Sequence, residues 1–149
     1  MKRLLAPLYI CLMLGFGFSS CGKDDNDPPS KSKSELLTQQ TWKFSSATAG
    51  GFDVTGDVPA CYKDNILTFN AAGTGNVNES ADVCSPTTAG NFTWTFQNNE
   101  SEINASTNFF PGGSGVFTLV SLTETTLVLA QNMTIPPFPT TNVQVTLVH

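Results

Sequence analysis

The stretch NFTWTFQNNESEINAS, residues 91–106, decides the fold. Phe92, Trp94 and Phe96 alternate with polar residues, and successive side chains of a strand point to opposite faces. Asn98-Asn99 is a turn signal, and residues 102–106 predict a second, short strand. The stretch therefore predicts an antiparallel pair of strands with one apolar face.

The same period of two recurs on both sides of this stretch. Further strands are predicted near Trp42 and at 66–69, 74–80, 116–122, 125–132 and 142–148. One short helix is predicted over 34–39, because Ser32 and Glu35 have the spacing of a capping box. About eight sequential strands with tight turns indicate an all-β fold. We expect an up-and-down antiparallel β-barrel with a short N-terminal helix, and a β-sandwich is the alternative.

Residues 1–20 have the pattern of a bacterial lipoprotein signal peptide. Lys2 and Arg3 precede an apolar run, and the stretch FSSC, residues 18–21, ends it on a cysteine. The run is about fifteen residues long, shorter than the roughly twenty that a membrane-spanning helix needs. We expect cleavage before Cys21 and its modification by acyl chains such as palmitate, since two chains give a stable anchor. A plain secretory signal is the alternative.

The residues that follow predict a flexible tether and a single domain. Residues 21–33 are charged and contain Pro28-Pro29, a composition that cannot bury enough apolar surface to become ordered. The chain is thus divided into a signal peptide, 1–20, a lipidated tether, 21–33, and a β-barrel domain, 34–149.

The predicted domain is acidic and poor in charge. Charged residues make up 13% of the chain, against about 25% in ordinary soluble proteins. From residue 34 onward, Lys43 and Lys63 stand against nine carboxylates, and there is no arginine. Nucleic-acid binding needs clustered cations that displace counterions. We therefore expect no nucleic-acid partner, and the sequence leaves the oligomeric state open.

Cys61 and Cys84 remain after Cys11 leaves with the signal peptide and Cys21 receives lipid. An even pair in an oxidising compartment favours a disulfide. Closing a loop of about 24 residues would contribute about 3 kcal/mol to stability in the chain-entropy account. Two free thiols and a metal site are the alternatives, although a zinc site needs about four ligands and the only histidine is His149.

Catalytic chemistry has little support in this sequence. A hydrolytic triad needs a base, usually histidine, and His149 lies at a chain end that we expect to fray. Paired carboxylates could serve a glycosidase, but most of those present fall in predicted turns or on polar strand faces: Asp53, Asp57, Asp64, Glu79, Asp82, Glu100, Glu102 and Glu124. We expect no catalytic residue, no cofactor and no metal.

Two sets of apolar residues are candidates for a binding site. The first is predicted to face the barrel interior as ligand lining or core: Trp42, Phe44, Phe69, Phe92, Trp94, Phe96 and Phe117. An eight-stranded barrel is either filled by such side chains or holds one small ligand. The second set lies in two loops rich in proline and glycine, at Phe109-Phe110 and at Ile135 and Phe138. These loops either form a portal or pack over a barrel end.

Four segments, in order, resemble a known family: LLTQQTWKF (36–44), CYKDNILTFNAAGT (61–74), GNFTW (90–94) and LTETTLVL (122–129). They are similar to the lipocalin-like domain of small lipoproteins from the Bacteroidota. The resemblance implies a β-barrel with a short helix at one end. Lipocalins in the narrower sense carry Gly-x-Trp on the first strand and an arginine over that tryptophan. Here Gln40 takes the glycine place, Trp42 takes the tryptophan place, and the domain offers no arginine.

The resemblance also bears on location and function. Lys23-Asp24-Asp25 resembles the surface-export signal of lipoproteins from the same phylum, with an ordinary charged tether as the alternative. We expect a lipid-anchored protein of the outer membrane, with exposure at the cell surface as one possibility, that binds a small apolar ligand. The alternative is a non-enzymatic interaction protein whose filled barrel displays loops to a cell-surface partner.

Overall fold

The computed structural model describes residues 30–135 and 139–149. Cys21, most of the tether and Phe138 lie outside the described residues. The described part contains these strands: β1 (Thr41–Ala49), β2 (Phe52–Asp53), β3 (Ile66–Asn70), β4 (Thr74–Asn78), β5 (Gly90–Gln97), β6 (Glu102–Ala105), β7 (Val116–Leu122), β8 (Thr126–Met133) and β9 (Thr141–Val148). It also contains two α-helices, α1 (Lys33–Thr38) and α2 (Ala60–Lys63), and one turn of 3-10 helix at Thr55–Asp57. Neither helix has the length or the hydrophobicity to cross a membrane.

Eight of these strands close into a barrel. Each strand from β3 to β9 pairs antiparallel with its neighbour in the chain, and β1 pairs with both β3 and β9. The two-residue strand β2 pairs only with the last residues of β1. The predicted up-and-down barrel is confirmed. The sandwich alternative is wrong, because the β1–β9 pairing joins the two edges of one sheet.

Two irregularities correct the simple alternation of the sequence. The register shifts between Phe44 and Ser46 where β1 meets β9, and between Leu119 and Ser121 where β7 meets β8. An extra residue in one strand reverses which side chains face inward. Trp42 and Ala47 are therefore both buried although five positions separate them.

The barrel has two different ends. The closed end carries α1, the tight turns at 71–73, 98–101 and 123–125, and His149. The loop end carries the longer connections at 54–65, 79–89 and 106–115, together with residues 134–135 and 139–140 between β8 and β9. Since α1 precedes β1 directly, the chain enters the domain at the closed end.

Helix α1 seals the closed end through its cap and through Trp42. The Ser32 hydroxyl accepts a hydrogen bond from the Glu35 amide, and the Glu35 carboxylate accepts one from the Ser32 amide at 2.8 Å. This is the predicted capping box. The helix begins at Lys33, one residue before the predicted start at 34. The Trp42 indole Nε1–H donates to the carbonyl oxygen of Leu37 at 2.9 Å. Leu37 and Trp42 are both fully buried, so the helix is held by packing.

His149 is fixed at this end, and the expectation that it frays is wrong. Its ring lies 4.1 Å from the Trp42 ring, measured between centroids. Nδ1 is 2.9 Å from the Thr41 carbonyl oxygen, and Nε2 is 2.7 Å from that of Glu124. Carbonyl oxygens only accept hydrogen bonds, so the ring nitrogen that carries a proton donates to the carbonyl oxygen beside it. His149 thus covers Trp42 in a domain that has no arginine.

The loop end is held by a disulfide and by a short covering segment. Cys61 on α2 is bonded to Cys84 in the β4–β5 loop, which confirms the predicted pair. β1 pairs with β3 only over Thr41–Lys43. β3 begins at Ile66, opposite Lys43, so the rest of β1 has no β3 residue beside it. The segment after β2 bonds to β1 instead: the Val54 amide donates to the Ala47 carbonyl oxygen at 2.9 Å.

Candidate ligand-binding site

The structure places the predicted interior aromatic residues in the core. Trp42, Phe69, Phe92, Trp94 and Phe117 are buried, and Phe44 and Phe96 are half-buried and pack against them. Phe69 meets Phe92 and Trp94 edge-to-face, with ring centroids 5.4 and 5.6 Å apart. Gly75 lies opposite Phe92 on the neighbouring strand, and a Cβ there would collide with the Phe92 ring. The interior is thus built from tightly packed rings.

Phe109 occupies the middle of this aromatic interior although it belongs to a loop. It comes from the β6–β7 loop and is 1% exposed. Its ring stacks on Phe117 of β7 with 4.7 Å between centroids and 7° between planes. The same ring meets Phe92 of β5 at 4.9 Å and Phe69 of β3 at 5.9 Å. A single loop side chain therefore joins three walls of the barrel.

The two other predicted portal residues that the structure describes are placed in the same way. Phe110 and Ile135 are buried, like Phe109, and all three pack in the main core cluster. They are not exposed loop tips, because burying a phenylalanine or isoleucine side chain is worth about 1.5–3 kcal/mol relative to leaving it in water. The loops therefore fill the barrel at the loop end.

An open apolar depression lies beside this filled end. We call it the mouth depression; its volume is about 460 Å³, and it is lined by Ala49, Gly50, Phe52, Asp53, Val54, Pro139 and Thr141. Phe52, at the tip of the β1–β2 hairpin, is 78% exposed. By contrast, a depression of about 450 Å³ over β4 and β5 is lined mainly by asparagine, threonine and serine. Small-molecule sites are mostly apolar with few polar groups, so the mouth depression is the better candidate.

One carboxylate stands at the rim of the mouth depression. Asp53 accepts a hydrogen bond from the Thr55 amide at 2.8 Å. Hydrogen bonds from the Thr55 side chain and amide hold the pKa of Asp53 below its usual value. The rim is therefore negatively charged at neutral pH, and it disfavours an anionic ligand.

The sequence did not predict the residues of the mouth depression. Phe52 stands alone between Gly51 and Asp53, outside any alternating pattern. Pro139 is brought near it only because the β8–β9 loop ends beside the β1–β2 hairpin. Periodicity identifies side chains that face a core, but it carries no signal for two loop segments that meet across a closed barrel.

Glu79 departs from the expectation that the carboxylates are solvated. It is buried, and its oxygens accept hydrogen bonds from the Thr87 hydroxyl at 2.6 Å and from the Thr88 amide at 2.6 Å. These bonds, the Thr87 side chain first, lower the pKa of Glu79. Burial, and secondarily the charge of Glu79, raises the pKa of Tyr62. With its oxygens occupied, Glu79 organises the β4–β5 loop.

The described residues contain no candidate metal centre. Within 30–135 and 139–149, no three histidine, cysteine, aspartate or glutamate side chains are grouped so that they could hold an ion. Asp64 uses one carboxylate oxygen to accept hydrogen bonds from the amides of Ala81 and Asp82. That carboxylate therefore serves the same loop as Glu79.

Comparison with known proteins gives one family. A family profile described as a lipocalin-like domain matches residues 39–129. The chain belongs to the lipocalin-like domain family. The lipocalin-like barrel is typically a fold for binding and not for catalysis, and it suits a small hydrophobic ligand. No curated protein matches the chain.

The matched span covers most of the lipocalin-like barrel. It begins just before β1 and ends inside β8. It includes Trp42, the disulfide and the Phe109 loop. It leaves out β9, the strand that closes the barrel, and Pro139 of the mouth depression. Family membership therefore supports the fold, while part of the lining of the mouth depression, Pro139 and Thr141, lies outside the matched span.

Proposed function

We propose that the protein is a lipoprotein anchored at the outer membrane, whose lipocalin-like barrel binds a small, neutral, apolar ligand in the mouth depression. The observation that carries the proposal is this apolar depression of about 460 Å³ in a barrel of a ligand-binding family. Drug-sized ligands occupy pockets of roughly 300–1,000 Å³. The volume thus suits one small molecule.

The ligand class follows from the charges near the mouth depression. Asp53 is the charged residue of its lining, and the domain from residue 34 onward carries nine carboxylates against two lysines. A fatty-acid carboxylate would meet repulsion without a cationic partner. A neutral molecule loses nothing there, so we infer a neutral ligand.

The position of the chain entry indicates which end of the anchored barrel faces the membrane. The proposed lipid on Cys21 precedes α1, which lies at the closed end. A lipidated chain attached there leaves the mouth depression and the long loops at the opposite end. In this arrangement ligand reaches the site from the side that faces away from the bilayer.

The anchor is tested by lipid incorporation. In the native host, replacing Cys21 with alanine is expected to abolish labelling by an alkyne analogue of palmitate, because the acceptor thiol is gone. Cys11→Ala is the matched control, since it removes another cysteine of the leader and should keep full labelling. Label that persists in the Cys21→Ala protein would show that the anchor is assigned wrongly.

The mouth depression is tested with two related probes. Neutral N-phenylnaphthylamine is expected to bind at least about tenfold more tightly than anionic anilinonaphthalene sulfonate, a difference of about 1.4 kcal/mol. Phe52→Ala should weaken the neutral probe about tenfold, because it removes an aromatic wall. Val83→Ala is the control, since Val83 is 66% exposed and lies outside the lining. Fluorescence titration measures the affinity of each probe for the unaltered protein and for the two variants.

A second function is favoured by the filled interior. Phe109 and Phe110 occupy the loop end of the barrel, so the domain can also serve as a rigid support for the long loops. If neither probe binds, or if both bind without regard to Phe52, the ligand proposal fails. The display of loops to a protein partner would then be the better reading.

A further inference from the structure

The β6–β7 loop carries a ring that fills the barrel without being part of its sheet. Phe109 stacks face-to-face on Phe117 and meets Phe69 and Phe92 with ring edges. Phe110 meets Phe117 edge-to-face at 6.3 Å. The Phe109 ring therefore sits in a flat slot whose walls are themselves aromatic, and every wall ring belongs to a strand or to the same loop.

The base of this loop is fastened, but its tip is not. The Ala105 amide donates to the Gly115 carbonyl oxygen at 2.7 Å, and the Ser114 amide donates to Gln131 at 3.0 Å. Among the described residues, no backbone hydrogen bond joins Phe109 or Phe110 to a strand. Burial of the two rings holds the tip against the barrel. The hydrogen bond from the Asn108 side-chain amide to the Gly113 carbonyl oxygen, at 2.7 Å, stays within the loop. Withdrawing it would break no rung of the sheet.

We propose that Phe109 is a displaceable plug, and that a planar aromatic group of a ligand can take the place of its ring against Phe117. This inference rests on the proposed ligand-binding function and adds a second, deeper position to it. A flat ring makes the same stacked and edge-on contacts as Phe109. A saturated ring system of similar size cannot stack, so the slot selects planar aromatic ligands.

The plug also lowers the apparent affinity for such a ligand. The ligand binds only to molecules in which Phe109 has left the slot, so the apparent affinity is reduced in proportion to their fraction. Removing the ring removes this cost. Phe109→Ala is therefore expected to bind naphthalene at least about tenfold more tightly than the unaltered protein.

Naphthalene and its saturated counterpart decalin form the test pair, used with the full chain. Phe109→Ala should bind naphthalene in preference to decalin, as measured by thermal shift and ligand-observed NMR. Leu129→Ala is the matched control, because it removes a buried side chain from a strand and leaves the slot filled. If Leu129→Ala gains the same naphthalene binding, or if Phe109→Ala gains none, the inference is overturned.

The unaltered protein provides a test that no folding defect can obscure. Chymotrypsin cleaves after phenylalanine, and Phe109 and Phe110 are buried. Naphthalene should accelerate cleavage after Phe109 several-fold, because a displaced plug is exposed. The bond after Phe110 precedes Pro111 and resists the enzyme, so Phe109 is the site to follow. Unchanged or slower cleavage would overturn the inference. Naphthalene binding that depends on Phe52 and not on Phe109 would also overturn it, while leaving the mouth depression as the site of the proposed function.

Discussion

Replacing Trp42 with alanine is expected to lower the free energy of unfolding by about 3–5 kcal/mol. Trp42 is 0% exposed, so the change leaves a large cavity where α1 meets β1. It also removes the Nε1–H that bonds to the Leu37 carbonyl oxygen, and it leaves that buried acceptor without its donor. The lost burial of apolar surface, the new cavity and the lost hydrogen bond all lower the free energy of unfolding.

Urea unfolding followed by circular dichroism measures this loss, and two variants divide it. Trp42→Phe keeps an aromatic ring but loses the hydrogen bond, and we expect a loss of about 1–2 kcal/mol. His149→Ala removes the ring over Trp42 and should also cost about 1–2 kcal/mol, from its hydrogen bonds and its packing against the Trp42 ring. A loss below about 1 kcal/mol for Trp42→Ala would mean that this residue does not belong to the core.

Removing the disulfide is expected to lower the free energy of unfolding by about 3 kcal/mol. Cys61 and Cys84 are 23 positions apart, and their bond links α2 to the β4–β5 loop. Without the bond, the unfolded chain gains the conformational freedom of a loop of about 24 residues. Cys84 is buried, so serine at this position also places a hydroxyl in an apolar setting.

The double variant Cys61→Ser, Cys84→Ser is compared with the reduced protein. Both should unfold at a lower urea concentration than the oxidised protein, and a reducing agent should have no further effect on the double variant. An oxidised protein that is less than about 1 kcal/mol more stable than the double variant would contradict the chain-entropy argument. Hydrogen exchange at residues 79–89 then shows whether the loop opens alone.

Much of the fold could be predicted because it depends on local sequence patterns. The alternation of Phe92, Trp94 and Phe96 predicted β5 and its inward face, and the capping box at Ser32 and Glu35 predicted α1. The hairpin of β7 and β8 also lies where the sequence indicated it. These features depend on spacings of two to four residues, which a single sequence displays directly.

The candidate site could not be predicted because it depends on contacts between distant segments. Nothing around Phe109 distinguishes a portal from a plug, since both need an apolar loop. The burial of Glu79 depends on Thr87 and Thr88, which lie across a loop. The position of His149 depends on Thr41, which lies 108 positions earlier in the sequence. Tertiary contacts of this kind override the local expectation of exposure or fraying.

The pairing of β1 with β9 has a consequence for the order in which the chain can fold. Lys43 must find Val148, and Ala49 must find Val143. The hydrogen bonds along one side of β1 therefore wait until β9 has been synthesised. Contacts so far apart in sequence make folding slow. An incomplete chain offers β1 with one side unsatisfied, which exposes it to pairing with neighbouring molecules before its own partner arrives.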